Sequence, residues 1–376
     1  MKQGPLAGLR VLEMEAIGPV PWAGMMLADM GADVVRLDRP EAQHMGMQRD
    51  ERFQFNGRGK RSVLADVKTP EGRALVLDLV GRADVLLEGL RPGVMERLGL
   101  GPDDCLAHNP ALVYGRMTGW GQTGPLAQAV GHDINYIATT GALHAIGPLD
   151  GPPAVPLNLI GDFGGGGMLL LVGVLAALCE ARTSRKGQVV DAAMVDGCLA
   201  LLAPIFGQWQ AGEWTDQRQS NWLDGGAPFY GTYATSDGKY LAVGAIEPRF
   251  YAALLKGLGL PGEPLPKQHD RSTWTAMRER FSAIFRRHPC EHWLAVFAGT
   301  EACVSPILSL SDLAVHEHLA QRKNFVEVDG ALHPAPAPRF SRTPSQIASG
   351  VAMRGSSTEA ALASWGIRRS ASSPQD

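Results

Sequence analysis

Much that would fix a function at a glance is missing from this chain. Its five cysteines (Cys105, Cys179, Cys198, Cys290, Cys303) are odd in number, widely spread and never in a C-x-x-C pair. That argues against a disulfide framework or a zinc site, and for a reducing, cytoplasmic location. The opening MKQGPLAGLRVLEM lacks the apolar core and cleavage site of a signal peptide, and SSPQD at the end matches no retention or lipidation signal. The longest apolar run, Met168 to Cys179, is too short to span a bilayer, so a buried helix is expected and no membrane. A net charge of -3 gives no global pull towards nucleic acid, so any anion site must be a local cluster. No G-x-G-x-x-G follows the first strand, which argues against a nicotinamide dinucleotide at that turn.

What is present is an alternation of strands and helices. Leu9–Met14 reads as a strand, Trp22–Met30 as a helix ended by Gly31, and Ala32–Leu37 as a second strand. Thr69 and Pro70 start a helix, Ala83–Leu90 is a strand, Pro92–Leu98 a helix and Leu112–Met117 a strand. Such a series predicts an α/β fold with a largely parallel, Rossmann-like sheet. Phe163–Cys179 reads as a core helix, and 186–195 as a strand feeding another. The residues 229–233 and 240–244 predict a hairpin around TSDGK. The expected division is a large domain over 1–192, a linker helix at 193–214, a small α+β domain at 215–310, a linker at 311–325, and a return to the large domain at 326–376. The Ser- and Ala-rich end, from about Gly350, is expected to fray.

Two groups of residues carry chemistry. Arg36, Arg39, Arg58, Lys60, Arg61, Lys68, Arg91 and Arg97 gather in the first half, several at strand ends or in loops. A phosphate-rich ligand would explain them; local sequence alone fits a solvated surface better. The stretch from Gly131 to Gly167 sets His132 beside Asp133 and, further on, Asp162 before a glycine run. On local sequence Asp162 is an N-cap, Glu247 before Pro248 is an acid at a helix N-terminus, and His132 is a loop histidine. Glycines 164 to 167 read as a close backbone approach to a ligand or as tight helix packing. Met117, Met168 and Met194 read as an acyl pocket or as core.

The motifs RGKRSVLADVK, EGLRPGVMERLGLG, MTGWGQTGP, GDFGGGG and KGQVVDAAMVDG together resemble the family III CoA-transferase (CaiB/BaiF-like) fold. GHDINYIA with NLIGDFGGG is similar to its α-methylacyl-CoA racemase branch, and the similarity runs from about Leu6 to Thr343. The resemblance implies that His132 and Asp162 are an acid/base pair that inverts the carbon next to a thioester carbonyl through an enolate. It further makes Glu247 the residue that orients His132 and Asn158 the hydrogen-bond partner of Asp162. Asp133 N–H is the first candidate donor to the enolate oxygen. The implied acyl-CoA site is Arg39, Ala65, Asp66, Val67, Lys68, Gly89, Leu90, Arg91, Arg97, Gly131, Ile134, Asn135 and Tyr136. No cofactor and no metal are implied, CoA being part of the substrate, and the expected assembly is an interlocked homodimer. One rival is a CoA transferase with Asp133 as nucleophile. Another is a non-catalytic acyl-CoA binding protein.

Overall fold

The structure, a computed structural model, describes residues 3–41, 50–262 and 264–368. The chain divides into two compact units, one of Met1–Thr140, Leu157–Leu201 and Glu317–Asp376, the other of Gly141–Pro156 and Leu202–His316.

The first unit begins β1 (Arg10–Met14), α1 (Pro19–Asp29), β2 (Asp33–Asp38), β3 (Arg61–Leu64), α2 (Pro70–Val80), β4 (Val85–Glu88), α3 (Val94–Arg97), α4 (Pro102–His108) and β5 (Val113–Thr118). It continues with α5 (Asp133–Thr139), a π-helical stretch Leu159–Met168 that runs into α6 (Leu169–Ser184), and β6 (Gln188–Ala193); α7 (Met194–Gln210) starts here. The start of α2 at Thr69–Pro70 and the stop of α1 at Gly31 are those read from sequence, whereas α1 begins at Pro19, ahead of the expected Trp22. Pro19 sits in the first turn of α1, and Thr69 Oγ1 accepts the Gly72 N–H at 3.0 Å to cap α2. Gly31 leaves α1 with φ +98°, where an added Cβ would lie 2.6 Å from the Gln3 carbonyl oxygen.

In the second unit a sheet of β7 (Tyr230–Ala234), β8 (Tyr240–Gly244) and β9 (Val304–Pro306) packs with α8 (Pro248–Gly257), α9 (Trp274–Phe285) and α10 (Cys290–Phe297). The hairpin expected around TSDGK is β7–β8, antiparallel. Arg218 holds the 141–156 segment to this unit by donating to the carbonyls of His144, Pro148 and Gly151. The chain then returns to the first unit through α11 (Glu317–Gln321), the hairpin β10 (Phe325–Val328) and β11 (Ala331–Pro334), and α12 (Thr358–Ser364).

The six-stranded sheet has the order β3-β2-β1-β4-β5-β6, every neighbouring pair parallel. Its central strands are buried on both faces, as a parallel sheet between helices requires. Alternate residues serve opposite cores. Val11, Val34, Leu87 and Val113 pack with α1 and α6 through Leu27, Leu170 and Val174. Leu12, Val35, Leu86 and Tyr114 pack with α2, α4 and α12 through Val76, Leu79, Cys105 and Trp365. The strand order reverses between β1 and β4, so the crevice for a ligand lies outside the carboxyl ends of those strands.

Two elements differ from the sequence reading. The end of the chain does not fray from Gly350: Ala361, Leu362, Trp365 and Ile367 give it an apolar face that joins the second core, and Trp365 Nε1 donates to Asp33 Oδ2 at 2.8 Å. Residues 369–376 lie outside the described residues. The core helix is also longer than its apolar run, because the π-helical turns extend it back to Leu159. The continuous stretch Leu159–Ser184, 26 residues, is long and apolar enough to cross a membrane by length and composition. Here its Leu170, Leu171, Val174 and Ala177 are buried in the sheet's first core.

Candidate active site

α5 and the π-helical stretch bring the two halves of the Gly131–Gly167 sequence together. His132, exposed, is the N-cap of α5; its backbone N–H donates to Asn135 Oδ1 at 3.0 Å, which settles the Asn135 side chain. Tyr136 is buried, with its hydroxyl donating to the Gly131 carbonyl at 2.5 Å and its ring edge-on to Trp120. An added Cβ on Gly119 would stand 2.0 Å from that ring, so a glycine at the end of β5 is needed to seat α5. Among the described residues the N–H groups of Asp133 and Ile134, in the first turn of α5, have no hydrogen-bond acceptor.

Asp133 points the other way. Its side chain is 6% exposed, Oδ1 accepts the Asp162 backbone N–H at 2.7 Å, and Oδ2 is buried with no partner among the described residues. A Cβ on Gly161 would come within 2.5 Å of that Oδ1, so the glycine lets the carboxylate reach across. Asp133 thereby fixes the backbone at Asp162 from below.

Asp162 lies within the first turn of the π-helical stretch, not at the N-cap expected from local sequence; Asn158 holds the cap position. π-helical turns are rare and frequent at functional sites. Asn158 Nδ2 donates to Asp162 Oδ2 at 2.9 Å. Burial pushes the Asp162 carboxyl above the usual carboxylate range; the Asn158 hydrogen bond opposes this, the Asp133 charge adds to it and the nearby His132 opposes it. Gly18, with φ +69°, enters α1 against this carboxyl, where a Cβ would lie 3.1 Å from Oδ2. The arrangement therefore offers an imidazole and a half-buried carboxyl with a raised pKa in one cluster.

The glycine run answers to packing. A Cβ on Gly165 would stand 2.8 Å from Cys198 N and 2.9 Å from its Sγ, and one on Gly167 would stand 2.7 Å from the Trp22 ring. Met117 and Met194 are core, while Met168 is exposed. Glu247 stands exposed at the N-cap of α8 in the second unit.

The structure sorts the basic residues into two classes. Arg58 pairs with Asp29 at 2.6 Å, and the buried Lys60 gives its three donors to both oxygens of the buried Glu13 and to the half-buried Pro21 carbonyl. Arg36 pairs with Asp38 and Arg61 with Asp33. These four are tied up within the fold. By contrast Lys68, Arg91 and Arg97 are exposed and make no ion pair among the described residues. Ala65–Lys68, Gly89–Arg91 and Arg39 directly follow β3, β4 and β2, so the parallel sheet places all three at its carboxyl edge. Gly89 allows the chain past α1: a Cβ there would stand 2.9 Å from Val20. Ala65 is buried, as is Tyr136, so their side chains shape the loops rather than protrude from them.

Sequence reasoning missed a second tier of arginines. Arg116 on β5 pairs with Glu88 at 2.8 Å and Glu96 at 2.7 Å, the acids flanking Arg91 and Arg97. Glu88 also accepts the Leu90 N–H at 2.7 Å, which braces the loop after β4. The available signal was an acid beside each free cation.

A doubly wound parallel sheet with exposed cations at its carboxyl edge, and an imidazole and a carboxyl in one cluster, makes this an α/β protein with its ligand crevice at the strand ends. The chain belongs to CoA-transferase family III, whose model matches residues 6–357. It is 45% identical over 342 residues to the alpha-methylacyl-CoA racemase of Mus musculus, covering 90% of this chain and 87% of that one. It is 42% identical to the alpha-methylacyl-CoA racemase of Homo sapiens, with the same coverage of each chain. Among solved structures, a CaiB/BaiF family protein from Brucella suis superposes with a TM-score of 0.83 at 26% identity, covering 97% of this chain and 100% of that one.

Proposed function

We propose that this protein interconverts (R)- and (S)-2-methylacyl-CoA thioesters by two-base 1,1-proton transfer through an enolate. His132 and Asp162 flank the α-carbon; one removes its proton and the other returns a proton to the opposite face, with the roles reversed for the other enantiomer. The raised pKa of the Asp162 carboxyl supports this role, because a carboxyl acting in both directions must work as acid and as base near neutral pH. The free N–H groups of Asp133 and Ile134 are oriented donors for the enolate oxygen. No metal or redox cofactor enters the scheme. The exposed Lys68, Arg91 and Arg97, with Arg39, take the phosphates of CoA.

The observation that carries this reading over a CoA transferase is the Asp133 carboxylate. A nucleophile must reach the thioester, and this one is buried beneath the site, bound to the Asp162 N–H.

The proposal extends to a cytoplasmic, interlocked homodimer in which Glu247 of the partner subunit orients His132. In its favour, α7 leaves Leu199, Leu201, Phe206 and Trp209 exposed. The test is α-proton exchange of a 2-methylacyl-CoA in D₂O. Wild type should incorporate deuterium without a second acid, and His132→Ala and Asp162→Ala should lose the exchange by about a hundredfold or more. Wild-type-like exchange in both variants would refute the pair. For the dimer, mixing His132→Ala and Glu247→Ala subunits should restore activity on subunit exchange.

A further inference from the structure

We propose that Arg354 is a positioning residue of the CoA site: by occupying Glu15 it keeps the Arg39 guanidinium out of a hydrogen-bonded pair with that acid and available to the phosphate on the ribose of CoA. The inference rests on the acyl-CoA reading above.

Glu15 directly follows β1 and Arg39 directly follows β2, strands that pair in parallel, so both stand at the carboxyl edge. Arg354 reaches them from the C-terminal return. Its Nη2 donates to Glu15 Oε1 at 2.6 Å, and its Nη1 donates to Glu15 Oε2 at 3.3 Å and to the Arg39 carbonyl at 2.6 Å. Glu15 Oε2 also accepts the Arg39 backbone N–H at 3.0 Å. Arg354 therefore brackets both the Glu15 carboxylate and the Arg39 backbone.

The Arg39 side chain is left over. It keeps only a long ion-pair contact, Nε to Glu15 Oε2 at 3.9 Å, beyond hydrogen-bond reach, and its guanidinium donates no hydrogen bond among the described residues. Nearby, Arg36 and Asp38 neutralise each other through two 2.8 Å hydrogen bonds. The strand edge then holds Arg39, Arg354 and Glu15, a net charge of one positive. Without Arg354 the net charge is zero. Glu15 would then have both oxygens open beside a guanidinium that needs to move by only about 1 Å to form a full pair. The phosphate would compete with a carboxylate already in place.

The end of the second strand in a doubly wound sheet is where the adenosine ribose of a dinucleotide is met, by an acid for a free hydroxyl or by an arginine for a phosphate. CoA carries a phosphate on that ribose, and Arg39 holds that position. Arg116 does the same for Arg91 and Arg97 by occupying Glu88 and Glu96. An acid occupied by a structural arginine is thus a repeated device along this edge.

The experiment is calorimetric titration of the full chain with free CoA and with 3′-dephospho-CoA, comparing wild type, Arg39→Ala, Arg354→Ala and the Glu15→Gln/Arg354→Ala double variant. Wild type should prefer CoA by about tenfold or more, and Arg39→Ala should lose that preference. Arg354→Ala should fall to about twofold or less, and the double variant should regain most of the preference because a neutral Gln no longer captures Arg39. Wild-type discrimination in Arg354→Ala or in Arg39→Ala overturns the inference. So does a loss that Glu15→Gln fails to restore, the result expected if Arg354 only anchors the chain end. A wild type that prefers CoA but exchanges no α-proton sinks the racemase reading and leaves this one standing; one that binds neither nucleotide sinks both.

Discussion

Residues 58–61 and residues 88–97 lie in the same unit, both carry basic side chains and both sit near strand ends. In the first segment Arg58 and Lys60 are buried against Asp29 and Glu13, and a Cβ on Gly24 would come within 1.7 Å of Glu13 Oε2. In the second, Glu88 and Glu96 are bound by Arg116, and Arg91 and Arg97 face solvent. What separates them is which charge the sheet already neutralises: a cation whose acid is buried beside it is tied into the fold, and a cation whose neighbouring acids are taken by another arginine stays exposed. The two aspartates of the site divide in the same way. Asp133 is buried on a backbone N–H, and Asp162 is half-buried with, among the described residues, only Asn158 hydrogen-bonded to its carboxyl.

The sharpest way to break that division is to neutralise each aspartate. Asp162→Asn removes a proton-transfer group and should lower α-proton exchange by about 10³-fold, within the range for general acid–base groups. Asp133→Asn keeps an oxygen to accept the Asp162 N–H and should cost about tenfold or less. If instead Asp133→Asn abolishes activity, and acyl transfer to a second acid is found in wild type, Asp133 is the nucleophile and the transferase reading replaces the racemase.

The basic residues give the next largest effect. Burial pushes Glu13 up and Lys60 down, against their ionisation, and the pair persists because all three ammonium donors have acceptors. Lys60→Ala strands the Glu13 charge and should destabilise the first unit by about 3–5 kcal/mol, read by denaturant unfolding. Arg91→Ala should leave the unfolding midpoint unchanged and raise KM for the acyl-CoA by about tenfold, less at high salt. Equal effects of the two on stability would erase the distinction.

This sorting marks where the sequence stops being informative. Strand positions and several helix boundaries were legible because they rest on local signals: the Val- and Leu-rich strands, Thr69–Pro70, Gly31. The pairing of His132 with Asp162 was legible only as motifs of a family. The fates of Lys60 and Arg91 were not legible, since they depend on Glu13 in β1 and on Arg116 in β5, contacts set by the sheet and not by neighbours in the chain. The chain end was misjudged for the same reason. Ser and Ala dominate it, yet Trp365 finds its acceptor in Asp33, 332 residues away in the chain. The π-helical turns likewise depend on Gly165 meeting Cys198 and Gly167 meeting Trp22, which no local pattern announces.

Asn158 offers the smallest and most specific perturbation. Its side-chain donor stabilises the ionised Asp162 carboxylate, opposing the burial that raises the pKa. Removing it in Asn158→Ala disfavours the charged form, so the pKa rises further. In the direction where Asp162 is the base, the active form is the carboxylate, and the acid limb of kcat/KM should move to higher pH. In the opposite direction Asp162 is the acid, its protonated form persists further up the pH scale, and the basic limb moves the same way. At neutral pH the base direction should therefore slow by less than about tenfold while the acid direction is spared. Measuring the pH dependence with each enantiomer separately reads both limbs. A shift to lower pH, or an equal loss in both directions at every pH, would mean that Asn158 contacts the substrate and does not tune Asp162.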